Sequence, residues 1–163
     1  MTFEPRPGAA PVLQQVGAQA SMEARLMLRN GEQLLLALVI PVIVLVGGVA
    51  GADRVGVEFS RPTVDIFTPG VLALAVMSTA FTSLAIATGF ERRYGVIKRL
   101  GTSPLSRSSL LAGKAGALLA VEVVQLFVIG AVGFALGWDP DPNLLAALLA
   151  VLLGTVAFAS LGL

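Results

Sequence analysis

Cysteine and histidine are both absent from the 163 residues of this chain. Their absence excludes disulfides, thiol nucleophiles, zinc sites built from Cys or His, and acid–base catalysis by imidazole. A phosphate-binding loop is missing too, because Gly113 and Lys114 would need a glycine where Ser108 stands and a Ser or Thr where Ala115 stands. We therefore expect no catalysis, no metal and no nucleotide bound by this chain.

Charged residues are also scarce. Only 13% of the chain is charged and 56% is hydrophobic, and the mean hydropathy is +0.87, which is typical of membrane proteins rather than soluble domains. The net charge of +1 gives no indication of nucleic-acid binding. Residues 1–11 contain three prolines and neither a basic start nor an apolar run, so we predict a flexible tail and no signal peptide.

Four hydrophobic segments follow the tail. About 20 helical residues cross a hydrocarbon core of about 30 Å, and the segments lie at residues 34–50, 66–90, 110–137 and 144–163. Pro41 is expected to kink the first. The second carries a polar stripe that can bond to its own carbonyls or to neighbouring helices, formed by Ser78, Thr79, Thr82, Ser83 and Thr88. The fold class predicted is an all-α, polytopic transmembrane bundle.

A helix is predicted before the first span, over residues 12–30. Its apolar residues recur near one side of a helical wheel, whereas Gln14, Glu23 and Arg29 lie elsewhere. This pattern fits an interfacial helix that lies on the membrane surface. A helix that caps the bundle without entering the interface fits it too.

Basic residues indicate the orientation of the spans. Three (Arg6, Arg25 and Arg29) precede the first span and six follow the second, against Arg54 and Arg61 in the other loops. Lys and Arg near span ends stay on the cytoplasmic side. The bias of nine to two predicts a cytoplasmic N-terminus in the cell membrane, with Trp138 as an interfacial anchor on the outer side. The richness in Ala, Gly, Val and Leu favours a bacterial source.

The central loop, residues 91–109, carries most of this charge. Tyr94, Ile97 and Leu100 recur three apart and form an apolar edge among basic residues, which predicts a short amphipathic helix. Gly101 and the sequence up to Pro104 end it, and Ser106 or Ser108 can cap the third span. A plain basic loop lying on lipid head groups is the alternative.

Glu122 is the one acid placed clearly inside a span, about 12 Å beyond Lys114 along the third segment. Insertion of an acid there costs about 3 kcal/mol or more, so the side chain should face the bundle interior, with Gln125 on a neighbouring face. Glu122 and Gln125 are the candidate intramembrane polar site. Their role is either a structural hydrogen bond to the stripe of the second span or a substrate path or proton relay.

The central loop resembles that of ABC-2 type transporter permeases, the membrane subunits of ATP-binding cassette exporters of drugs, lipids or polysaccharides. The residues that carry the resemblance are Glu91, Gly95, Lys98, Leu100, Thr102, Ser103, Pro104, Arg107, Gly113 and Lys114. It implies that the loop forms a coupling helix that docks on an ATPase subunit, through Glu91, Arg92, Tyr94, Gly95, Ile97, Lys98, Leu100 and Pro104. It also implies a connecting helix at residues 12–30, a homodimer or heterodimer of permeases, and ATP and Mg on the partner ATPase.

Two features differ from the family pattern. Arg93 stands where the family often has a second acid, and the chain has four spans where the family usually has six. We expect the sequence to be a fragment or a truncated relative. Two other functions are alternatives to the permease: a proton-coupled four-span transporter that uses Glu122, and a non-transporting membrane scaffold.

Overall fold

The computed structural model describes residues 10–56, 59–95, 106–140 and 143–162, and these form helices and short connections without a β-strand. The prediction of an all-α polytopic bundle is confirmed. Most of the predicted tail (residues 1–9) and much of the central loop (residues 96–105) lie outside the described residues. Within these ranges the helices are α1, Val12–Arg29; α2, Gly31–Val55; α3, Thr63–Arg93; α4, Arg107–Ala135; and α5, Leu144–Gly162.

Helices α2 to α5 are each long and apolar enough to cross a membrane. The helix α2 extends beyond the predicted residues 34–50 at both ends. Asn30 caps its start by accepting a hydrogen bond from the Gln33 backbone N–H at 3.5 Å, and Gly56 ends it in the left-handed conformation (φ 69°) that favours glycine. The predicted span ends at residue 50 because hydropathy falls before Asp53 and Arg54. The helix is longer because its backbone hydrogen bonds continue through these two residues.

Local capping also fixes the ends of α4. Ser106 accepts a hydrogen bond from the Ser109 backbone N–H at 3.1 Å, which confirms Ser106 as the cap of the third span. At the other end, Gly137 has a φ of 91°, and the Trp138 N–H bonds the Gly133 carbonyl at 2.9 Å. This is the Schellman arrangement in which a left-handed glycine stops a helix.

Two spans contain π-helical segments, Leu35–Val39 in α2 and Ser78–Ser83 in α3. The first lies directly before Pro41, where a kink is predicted. Proline has no N–H and its ring crowds the carbonyl four residues earlier, so the helix cannot keep its regular hydrogen bonds there. Widening over one π-helical turn keeps α2 continuous across the proline.

The core lies where α2, α3 and α4 meet. Leu45, Val71, Ala75 and Ile129 are buried there, and Phe67 packs on them. The helix α5 packs against the π-helical segment of α3 and leaves most of its surface uncovered.

Helix α1 packs along the first half of α4. Glycines on α4 allow the close approach: a Cβ on Gly113 would lie 2.6 Å from the Gln19 Cβ, and one on Gly116 would lie 3.2 Å from the Ala20 Cβ. Small residues at a helix interface bring two backbones near each other in this way. Val12, Leu13 and Leu26 of α1 are exposed.

We expect the Gly113→Ala variant to be about 2 kcal/mol less stable than the Gly130→Ala variant. Alanine favours the helix by about 1 kcal/mol at either position, but overpacking costs about 1–3 kcal/mol, and only Gly113 faces a neighbour, since nothing lies within 4 Å of a Cβ at Gly130. Unfolding of both variants in detergent measures the difference. Equal stability would show that α1 does not hold this position on α4.

Candidate functional site

Lys114 lies between two glutamates at the end of the bundle where α3 ends and α4 begins. Its Nζ is 3.2 Å from the Glu23 Oε1 on α1 and also donates to the Glu91 Oε1 on α3. The three side chains, here called the Lys114 cluster, are 7%, 15% and 16% exposed for Lys114, Glu23 and Glu91. Gln19 donates a further hydrogen bond to Glu23 at 2.9 Å. The cluster therefore joins α1, α3 and α4.

Burial of an ammonium group is costly unless anions and hydrogen bonds compensate for its lost hydration. Two carboxylates supply both to Lys114. From the sequence, Lys114 is predicted only as one of the basic residues that orient the spans. Its pairing with Glu23 is not predicted, because Glu23 is 91 residues away along the chain. The helical pattern of residues 12–30 placed Glu23 away from the apolar side and gave no signal of this contact.

The described part of the central loop begins at the end of α3. Glu91 and Arg92 lie in the last turn of that helix, and Tyr94 and Gly95 form the turn that follows, with a φ of 67° at Gly95. Tyr94 is 66% exposed and stacks on Phe90. The predicted coupling residues Ile97, Lys98, Leu100 and Pro104 lie outside the described residues. Of the predicted coupling residues, Glu91 is thus partly buried against Lys114, whereas Tyr94 is exposed.

Glu122 and Gln125 lie one turn apart on the inner face of α4 and are each 1% exposed. Gln125 bridges three spans: its Oε1 accepts from the Thr79 Oγ1 at 2.7 Å, and its Nε2 donates to the Ala37 carbonyl at 2.5 Å. These two residues and their partners Ala37, Thr79 and Thr155 form what we call the polar layer.

The Ala37 carbonyl can accept a hydrogen bond from Gln125 because it lacks its usual donor within the helix. It stands four residues before Pro41, which has no N–H to bond it. Thr79, the other partner, lies in the second π-helical segment. A side chain from a neighbouring helix thus satisfies a carbonyl that a proline releases in a membrane span.

Glu122 connects α4 to the fourth span. Its Oε2 lies 2.7 Å from the Thr155 Oγ1 on α5, and its Oε1 is buried without a hydrogen-bond partner among the described residues. The expected bond from Glu122 to the stripe of the second span is therefore wrong; Gln125 makes that bond. Residues three apart on a helix differ by about 60° in direction, so the two side chains reach different neighbours.

The remaining stripe residues do not share one role. Thr82 is exposed, and the Thr88 Oγ1 is buried without a hydrogen-bond partner in the described part of the chain. Thr155 was not singled out from the sequence, because one threonine in an apolar segment carries no pattern. Across the described ranges, no group of three or more acidic side chains is placed to hold a metal ion.

The profile of the family described as ABC-2 type transporter matches residues 14–163. The chain belongs to this family. No curated protein and no solved structure matches the sequence significantly. This ABC-2 protein is thus a multi-pass membrane protein with a permease role in ABC transport, and the kind of partner with which its family works is an ABC ATPase.

Removal of Lys114 should destabilise this ABC-2 protein strongly. Lys114→Met leaves two partly buried carboxylates near each other without their cation, and we expect a loss of about 3 kcal/mol in the free energy of unfolding. Replacing both acids as well (Glu23→Gln with Glu91→Gln) should recover much of the loss. Unfolding in detergent measures these changes, with Arg25→Met, an exposed change on α1, as the control. A Lys114→Met variant as stable as the control would contradict a structural role for the cluster.

The bridge through Gln125 gives a second prediction. Gln125→Leu leaves the Ala37 carbonyl and the Thr79 hydroxyl without their partner and should cost about 2 kcal/mol, whereas Thr79→Val removes one bond and should cost about 1 kcal/mol. Thr82→Val, on the exposed side of the same stripe, is the matched control and should change little. Thermal unfolding of the purified protein distinguishes the three, and a Thr79→Val variant indistinguishable from Thr82→Val would argue against the bridge.

Proposed function

We propose that the chain is a transmembrane permease subunit of an ATP-driven exporter, coupled to a separate ATPase through the loop between α3 and α4. ATP and Mg are held by that ATPase, and two permease chains, identical or different, form the translocation path. The substrate class is a drug, a lipid or a polysaccharide-like molecule. Family membership supports the transport role.

The observation that carries the coupling proposal is the Lys114 cluster. The loop leaves the bundle from α3 and returns as α4, and Glu91 and Lys114 pair close to these two ends. Glu23 adds α1 to the same unit. A force applied to the loop therefore acts on three helices together rather than on a flexible hinge.

The described start of the loop also supports a docking role. Tyr94 exposes 66% of its surface beside the basic end of α3. An exposed aromatic ring with adjacent charge is a common anchor at protein interfaces. The nine basic residues that flank the spans on this side support a cytoplasmic position for the loop and for the N-terminus, in the plasma membrane of a bacterium.

The loop proposal is tested by replacing Tyr94, Ile97 and Leu100 with serine. Serine removes the apolar contact area but keeps the basic residues, so we expect membrane insertion to remain and the ATPase to be lost from detergent pull-downs analysed by mass spectrometry.

The control variant carries Val55→Ser and Phe59→Ser, which alter an exposed apolar residue at the end of α2 and another in the connection to α3, at the other end of the spans. It should retain the ATPase. Recovery of equal amounts of ATPase with the loop variant and the control would reject this docking site. A scaffold without a transport role predicts no ATPase with any of the proteins.

A further inference from the structure

Glu122 is the one described acid in the interior of the spans, and no cation lies opposite it. On its own helix the nearest described basic side chain is Lys114, eight residues or about 12 Å away along the axis, and Lys114 is paired with Glu23 and Glu91. Its neighbours in the polar layer are neutral amide and hydroxyl groups.

The other described charged groups on the spans α2 and α3 lie toward the ends of those helices, and Glu23 of α1 is paired with Lys114. No Asp, Glu, Lys or Arg occurs in the described residues of α5. The charged residues of α1, α2 and α3 are Glu23, Arg25, Arg29, Glu32, Asp53, Arg54, Asp65, Glu91, Arg92 and Arg93. An ionised Glu122 would thus be a buried charge without a counter-ion, which proteins avoid by neutralising the group.

The geometry around Thr155 identifies the neutral form. The Thr155 Oγ1 lies 2.7 Å from the Glu122 Oε2 and 2.8 Å from the Val151 carbonyl oxygen. A hydroxyl carries one hydrogen, so Thr155 can donate to only one of these oxygens. Both short contacts become hydrogen bonds when Glu122 is a carboxylic acid that donates to Thr155 while Thr155 donates to Val151.

We propose that Glu122 is a proton-binding site, and that the bound proton links α5, which packs on α3, to α4 through Thr155. The proton lies on the Oε2, and its release to water leaves a carboxylate that competes with Val151 for the single Thr155 hydrogen. The Oε1, which has no hydrogen-bond partner in the described part of the chain, then requires water or a cation. Proton loss therefore weakens the link between α4 and α5, whose surface is mostly uncovered. The site does not depend on ATP coupling.

Infrared difference spectroscopy of the purified protein tests the protonation directly. The spectrum of the wild type minus that of Glu122→Gln at neutral pH should contain the C=O band of one protonated carboxylic acid. Glutamine can donate to Thr155 in place of the acid, so this variant should keep the fold. A difference spectrum with carboxylate bands and no acid band would overturn the proposal.

Thr155 variants provide an independent readout in protein that retains Glu122. Thr155→Val removes the acceptor of the proposed hydrogen bond and should shift the acid band, whereas Thr155→Ser keeps a hydroxyl and should leave the band near its wild-type position. An acid band that does not move in Thr155→Val would show that the proton is not directed at Thr155.

The stability of the bundle should also depend on pH. A folded state that holds a proton which the unfolded chain releases loses stability as pH rises. The melting temperature of the wild type should therefore fall with rising pH more steeply than that of Glu122→Gln, and the difference between the two curves isolates the contribution of Glu122. Parallel curves would show that folding binds no proton at Glu122.

Discussion

Hydrogen bonds in the hydrocarbon core must be made between parts of the protein, because no water is present to complete them. The Gln125 amide meets this requirement for three spans at once. Its NH₂ group bonds the Ala37 carbonyl that Pro41 releases, and its oxygen accepts from Thr79. The proline in α2 is thus tolerated because another helix completes its hydrogen bonding, and the bond fixes the relative height of α2, α3 and α4 in the membrane.

All other helices are fixed to α4 by polar contacts at two levels. At the end near the central loop, Lys114 binds Glu23 of α1 and Glu91 of α3. About two turns further along, Glu122 binds Thr155 of α5, and one turn beyond it Gln125 binds α2 and α3. Between the two levels the inner face of α4 is apolar, formed by Ala117, Leu118 and Val121. Apolar packing in lipid discriminates weakly between neighbours, so these polar contacts supply the specificity.

This arrangement has a consequence for the proposed coupling. A loop that receives force from an ATPase can move the membrane helices only if the helices at its two ends respond together. The Lys114 cluster provides that connection close to the ends of the loop, and the close contact of Gly113 with Gln19 adds α1 through backbone proximity. The polar layer would then carry the movement to α2 and α5.

The sequence by itself determined the number of spans, their approximate position and the family, because a membrane requires long apolar helices and the loop has a recognisable order of residues. It also limited the cap of the third span to Ser106 or Ser108, because capping depends only on local hydrogen bonding. It did not determine the partners of Lys114 or Glu122. Helical periodicity defines which residues share a face but not which helix lies opposite. Only the tertiary structure brought Glu23 to Lys114 and Thr155 to Glu122, because lateral helix order depends on contacts between distant residues.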